Sequence, residues 1–267
     1  MQACQHTHKE TQPMARKIAV AIPKGGVGKT TTAVNVAAAL HVQDKLRVLV
    51  VDLDPQASAT AFLGIDPYAV ERNITHLLND VTVNTRDVIL QTASGVDLLP
   101  SHRDLADNIP GMKGPRYGLV RDILAPVESD YDFIIIDSPP QESGLIWNIL
   151  AYVTEIIIPL EAHYLAVRGL SDALQMIDDA RSINPDLRVN GILLTKVNPK
   201  TNIHRAYIEQ VKEHSPSLVY PFMVGLHVAH QEAASEGQPI LLYDPTHAGS
   251  TTYRELARTL VDGKKKV

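Results

Sequence analysis

The sequence predicts an α/β protein: a doubly wound, mostly parallel sheet with helices on both faces. Three observations predict it. Apolar runs recur along the chain, and most are rich in Val and Ile at consecutive positions, the pattern of strands buried on both faces. Helical patterns lie between most of these runs, such as 29–41, 165–182 and 203–214. Alternating strand and helix implies right-handed crossovers, with ligands bound outside the carboxyl ends of the strands.

The elements follow in order. Residues 1–16 read as a disordered leader, poor in aliphatic side chains and interrupted by Pro13; either Met1 or Met14 is the original start. One domain is expected over 17–262, followed by a basic tail at 263–267 carrying Lys264, Lys265 and Lys266. Its strands are expected in "KIAVAIP" (17–23), "RVLVVDLD" (47–54), "VDLLPS" (96–101), "DFIIIDSP" (132–139), "EIIIPLEA" (155–162), "NGILLTK" (190–196), "LVYPFM" (218–223) and "PILLYD" (239–244). The stretch 65–95 reads as a helical excursion. The last helix carries Tyr253, Leu256, Ala257, Leu260 and Val261, a stripe at i, i+3, i+4, i+7 and i+8 that suits the core.

Composition narrows the function. The chain has 267 residues, 45% of them hydrophobic, enough for one sizeable core. Its net charge of −5 does not mark a nucleic-acid binder, so any DNA contact needs a local patch. Cys4 is the only cysteine, which excludes an internal disulfide framework and a cysteine-ligated cluster built by one subunit. No apolar stretch is long enough to span a bilayer, and the leader has no apolar signal region, so a cytoplasmic protein is expected.

Chemistry concentrates at three strand ends. "KGGVGKTT" (24–31) follows the first strand and opens a helix, the context a phosphate-binding loop requires. Gly25, Gly26, Val27 and Gly28 turn the backbone so that its N–H groups and the helix N-terminus form an anion cradle. Lys29 is placed to reach the β- and γ-phosphates, and the Thr30 hydroxyl to bind Mg²⁺. The structural alternative is a glycine-rich helix cap. In "VDLDPQ", Asp52 and Asp54 are two apart, so both are expected to face one way, either toward Mg²⁺ and the γ-phosphate or as turn and cap residues. "DFIIIDSPP" ends in Asp137, the pattern of the acidic residue that holds Mg²⁺.

With these motifs the chain resembles the ParA/MinD family of deviant Walker-A ATPases, and within it the ParA (Soj-like) partition ATPases. "KGGVGKTTTAVNVAAAL", "VDLDPQASAT" and "DFIIIDSPP" carry the resemblance; "PLEAHYLAVRGLSDAL" and "ILLYDPTHAGSTTYRELARTL" extend it over about 17–261. It implies a P-loop NTPase fold, ATP and Mg²⁺ as cofactors, weak partner-stimulated hydrolysis and an ATP-state homodimer. Lys24 is then the signature lysine that reaches the partner subunit's phosphates. Asp54 orients the attacking water, Asp52 lies near Mg²⁺, Gly25 permits close approach of the two subunits, and Thr31 adds a phosphate contact.

The resemblance also implies non-specific duplex DNA and a ParB-like adaptor as partners, with a nucleoid location. Lys200 matches a basic position used in relatives, and Arg205 and Lys212 follow on the next helix; ordinary solvated charges are the alternative reading. Relatives often read "PRNVRLSEA" where this chain has "GLHVAHQEA" at 225–233, so Leu226 and Ala229 stand in place of arginines. "TKVN" at 195–198 offers Asn198 as a base contact, and since Asn cannot accept from both guanine donors it leans toward ATP; a polar strand-end turn is the equal alternative. The expected role is an ATP-dependent dimerising switch that partitions plasmid or chromosomal DNA. The alternatives are positioning of a protein cargo (a carboxysome or chemoreceptor cluster), a MinD-like membrane-associated ATPase, and a metabolic ATPase or amidoligase of this fold. No apolar cluster follows the last helix, so no membrane partner is expected.

Overall fold

In the computed structural model, which describes residues 14–108, 117–140 and 144–264, eight strands form one sheet. They are β1 (Arg16–Val20), β2 (Val48–Asp52), β3 (Leu90–Gln91), β4 (Asp97–Leu99), β5 (Phe133–Asp137), β6 (Glu155–Glu161), β7 (Arg188–Val197) and β8 (Val219–Gly225). The order across the sheet is β3-β4-β2-β5-β1-β6-β7-β8, and every pair is parallel except β3 with β4. The expected doubly wound sheet is present.

β2 and β5 are buried at every position. Alternate side chains of the central strands enter two separate apolar layers: Ile18 and Val20 face one, Ala19 the other. The first layer packs on α1 (Lys29–Asp44), α2 (Ser58–Phe62) and α11 (Ala248–Lys264). The second packs on α5 (Leu119–Leu124), α6 (Gly144–Tyr152), α7 (Ala166–Ala180) and α8 (Asn202–His214). Tyr253, Leu256, Ala257 and Leu260 of the last helix are buried, as the stripe predicts. Smaller pieces complete the chain: α3 (Ile74–Asn79), α4 (Leu105–Asn108), α9 (Ala229–Ser235) and α10 (Ile240–Tyr243).

Two expectations change. Residues 239–244 form no strand; Pro239 starts the short helix α10, and the Ile240 N–H donates to Asn35 Oδ1 of α1 at 2.7 Å. A six-residue apolar run fits one helical turn as well as a strand, and the buried Asn35 settles it. The excursion 65–95 holds α3 and also the edge strand β3, too short to read from sequence. At the N-terminal boundary, Arg16 already belongs to β1 and pairs with Glu155, while most of the expected leader lies outside the described residues. So do residues 265–267 of the basic tail.

One contact ties distant segments together. Gly64 follows α2 and Gly237 follows α9, both with φ in the left-handed region (80° and 66°). Their backbones touch: a Cβ on Gly237 would lie 2.7 Å from Gly64 Cα. Any residue but glycine at 237 needs both the strained φ and a displaced neighbour.

Candidate nucleotide-binding site

The register of the sheet brings the acidic strand ends together. Asp137 is the pairing partner of Val20 in β1 and of Asp52 in β2. The loop after β1 therefore turns directly above two carboxylates. Gly26 and Gly28 take positive φ (74° and 91°), which L side chains rarely adopt. Gly28 is the residue before α1 and offers no side-chain cap, so the first N–H groups of α1 stay available to an anion.

Lys29 is buried, and its Nζ donates to the Lys24 carbonyl at 2.6 Å. Burial pushes its pKa down, while Asp137 and Asp54 pull it back up. The Thr30 hydroxyl donates to Asp137 Oδ2 at 2.7 Å. Asp137 Oδ1 is buried and has no partner among the described residues. Burial first, then the charge of Asp52, hold this carboxyl well above the usual carboxylate range. An orphaned carboxylate oxygen beside a threonine hydroxyl is a donor set that fits Mg²⁺, a hard cation that takes oxygen ligands.

Asp52 is engaged at the turn, the second of its two expected readings. Its Oδ2 accepts from the N–H and hydroxyl of Thr60, each at 2.8 Å, and its Oδ1 from Asp54 N–H at 3.1 Å. It shapes the corner that carries Asp54, beside Asp137, its pairing partner in β5. Burial raises its pKa to about 6 against the lowering effect of the Thr60 bonds. The β2 corner must satisfy the free N–H groups of α2, and Asp52 does so. Asp54 alone of the pair lines the cleft; its Oδ1 accepts from Gln56 N–H at 2.9 Å, and its carbonyl from Ser101 Oγ at 2.8 Å.

A cleft of about 610 Å³ runs from this cradle along the carboxyl ends of the strands. Gly25, Gly26, Gly28, Lys29, Thr30, Thr31 and Asp54 line one end, so the structure gathers most of the residues the motifs single out. Val27 is buried behind the loop, where its carbonyl accepts from Thr195 Oγ1 at 2.8 Å. Thr195 and Lys196 form part of the wall, but Asn198 does not: its Oδ1 accepts from Lys200 N–H at 3.2 Å in the turn after β7. Lys196 sits at φ 51° and pairs with Glu161 at 3.7 Å.

The far end holds histidines whose place in the cleft no motif indicates. His227 and His230 line it, with His247 behind them; the His227–His247 ring centroids are 4.8 Å apart and the His230–His247 centroids 5.6 Å. Gly225 and Gly249 leave the room: a Cβ on either would strike His227 or His230 at 2.4–2.5 Å. Burial, then His247 and His227, push His230 down to about 4, so it is neutral near pH 7. His227 lies in the loop after β8, His230 in the short α9 and His247 just before α11, so no single period links them. Lys200 and Arg205 are exposed beside this end of β7. Lys212, farther along α8, is paired with Glu209 at 3.0 Å.

Comparison with known proteins agrees with this geometry. The family model for an AAA domain matches residues 15–189. Among curated relatives, the sporulation initiation inhibitor protein Soj of Bacillus subtilis (strain 168) is 37% identical over 254 residues, 92% of this chain and 98% of its own length. The chromosome partitioning protein ParA of Myxococcus xanthus (strain DK1622) is 36% identical over 258 residues, 93% of this chain and 88% of its own. Among solved structures, a cobyrinic acid a,c-diamide synthase from Mycobacterium smegmatis with bound ATP analog and magnesium superposes with TM-score 0.80 at 32% identity, covering 94% of this chain and 96% of that one. The phosphate loop after β1, the strand-end carboxylates and these relatives together place the chain in the ParA/MinD family of P-loop ATPases.

Proposed function

We propose that this protein is an ATP-dependent dimerising switch that hydrolyses ATP slowly, binds duplex DNA without sequence preference and positions plasmid or chromosomal DNA through a ParB-like adaptor, in the cytoplasm on the nucleoid. One observation carries the dimer. Gly25 is exposed, and among the described residues a Cβ there would meet only Pro140 Cβ at an ordinary 3.7 Å. Its own subunit does not require glycine at 25; a second subunit closing on the cleft mouth does. Lys24 stands beside it, spare within its own cradle, and supplies positive charge to the partner's phosphates.

The roles follow from geometry. Lys29 and the N–H groups at the start of α1 bind the phosphates. Thr30 and Asp137 hold Mg²⁺, which neutralises developing phosphate charge. Asp54, at the wall of the cleft, orients the attacking water. The base lies toward Thr195, His227 and His230 instead of Asn198.

Lys200 and Arg205 supply the cationic face, and dimerisation presents it twice. The experiment is binding of unrelated duplexes with ATP, with ADP and without nucleotide, across a salt series. Two or three phosphates per subunit give a slope of log K against log salt of roughly −4 to −5, and Lys200→Ala flattens it by roughly 2. No binding in the ATP state at low salt refutes the nucleoid reading. A second reading, a membrane as the matrix, is favoured by one observation: Leu226 and Val228 are exposed at 62% and 66%. Vesicle co-sedimentation with ATP distinguishes it. Among the described residues no helix is long and apolar enough to cross a membrane.

A further inference from the structure

Lys24 has a resting place inside its own subunit. Its Nζ lies in hydrogen-bond contact with Nε2 of His163, in the turn between β6 and α7. On the other side of the same ring, Nδ1 faces the N–H of Leu165 at 3.0 Å, and the His163 carbonyl accepts from Ala166 N–H at 2.8 Å, at the start of α7. Two donors thus address one imidazole.

A neutral imidazole has one acceptor nitrogen and one N–H. If Nδ1 accepts from Leu165, the proton sits on Nε2 and meets the Lys24 ammonium donor to donor. If Nε2 accepts from Lys24, the proton sits on Nδ1 and opposes the Leu165 N–H. The two bonds exclude each other. A protonated ring makes neither, and stands against the Lys24 charge. The other groups facing the ring are Glu161, itself paired with Lys196, and the Tyr164 ring at 6.0 Å. Burial and Lys24 hold His163 below its ordinary pKa, so the neutral ring is the form to consider.

We propose that His163 is a positioning residue that parks the Lys24 ammonium in its own subunit, and that departure of Lys24 for a second copy's phosphates hands the ring to Leu165 and fastens the first turn of α7. This rests on the cross-subunit reading of Lys24. Parking competes with dimerisation, so His163 sets how tightly the nucleotide-bound dimer forms, and it lets α7 register where Lys24 is.

Two measurements on the full chain test this. Side-chain ¹⁵N NMR of the nucleotide-free protein reads the His163 tautomer without any dimer. The wild type is expected to carry the proton on Nδ1 and Lys24→Ala on Nε2; the same tautomer in both overturns the proposal. Sedimentation velocity with a non-hydrolysable ATP analogue and Mg²⁺ then compares dimer affinity. Loss of a hydrogen bond to a charged group in each of two subunits gives a dimer roughly 10²- to 10⁴-fold tighter in His163→Ala. His163→Gln, whose amide oxygen accepts from Lys24, stays near wild type. Equal affinity in His163→Ala and wild type overturns the proposal. If the wild type forms no nucleotide-dependent dimer at all, the cross-subunit reading fails instead, and the tautomer still decides the parking.

Discussion

Lys29→Met removes a charge and keeps most of the side-chain volume. In the free protein it costs little: one bond, from Nζ to the Lys24 carbonyl, is lost, and so is the burden of a desolvated ammonium. The lost charge-assisted bond, about 1.5–3 kcal/mol, is offset by relief of the desolvated ammonium, so the net stability change is expected within about 2 kcal/mol. Nucleotide binding is another matter. Two charge-assisted bonds to phosphate oxygens, at about 1.5–3 kcal/mol each, disappear, which is a loss of roughly 10²- to 10⁴-fold in affinity. Asp54 and Asp137, whose charges now act on Lys29, are then left to repel the incoming phosphates. Thermal unfolding with an ATP analogue and Mg²⁺ reads both effects. At a ligand concentration of about 100 Kd the wild type gains about 2.7 kcal/mol, or roughly 5–10 °C for a chain of this size. At the same concentration Lys29→Met is expected to shift by less than about 2 °C from its own ligand-free midpoint, given the same linkage relation. A ligand shift equal to the wild type's in a normally folded variant refutes the assignment of this loop to phosphate.

Three further outcomes are expected. Asp54→Ala binds the nucleotide but loses about 10²-fold or more in hydrolysis, the scale of a misplaced water-orienting group; single-turnover ATPase at wild-type rate shows that another group positions the water. Asp52 titrates near 6 when folded, above its unfolded value, so it burdens the fold above pH 6 and relieves it as pH falls toward 4. Asp52→Asn therefore lacks about 1 kcal/mol of the wild type's relative gain between pH 7 and 5, read from urea midpoints. His230 has the opposite sign: its folded pKa of about 4 lies below the unfolded value, so its contribution is intact above pH 6.5 and is lost as pH falls toward 4. His230→Leu is expected to hold about 1–2 kcal/mol more stability than wild type at pH 5 than the comparison at pH 7 gives, after allowance for the ring's partial exposure. Parallel pH profiles contradict it.

What the sequence made readable was local. The cradle is set by glycines where φ is positive, by Lys29 and by the helix that follows, all within a few residues. β2, β5 and β6 were readable because strands buried on both faces need apolar residues at consecutive positions. Residues 239–244 misled because a short apolar run has no period of its own, and the deciding group, Asn35, lies far away in sequence. The turn contacts of Asp52 are likewise set by Thr60, and Lys24 meets His163, 139 residues away. No spacing rule encodes such pairs. The histidines at the far end of the cleft depend on Gly225 and Gly249, whose small size is meaningful only once both segments are superposed in space.

The touching backbones of Gly64 and Gly237 join two walls of the cleft. One arm runs from Gly64 back through α2 to the corner of Asp52 and Asp54; the other runs from Gly237 back through α9 to His230. The arms meet where neither has a side chain to cushion the contact. A side chain at either glycine would drive the two arms apart, so the span between the Asp54 wall and the His230 wall is fixed where bare backbone meets bare backbone.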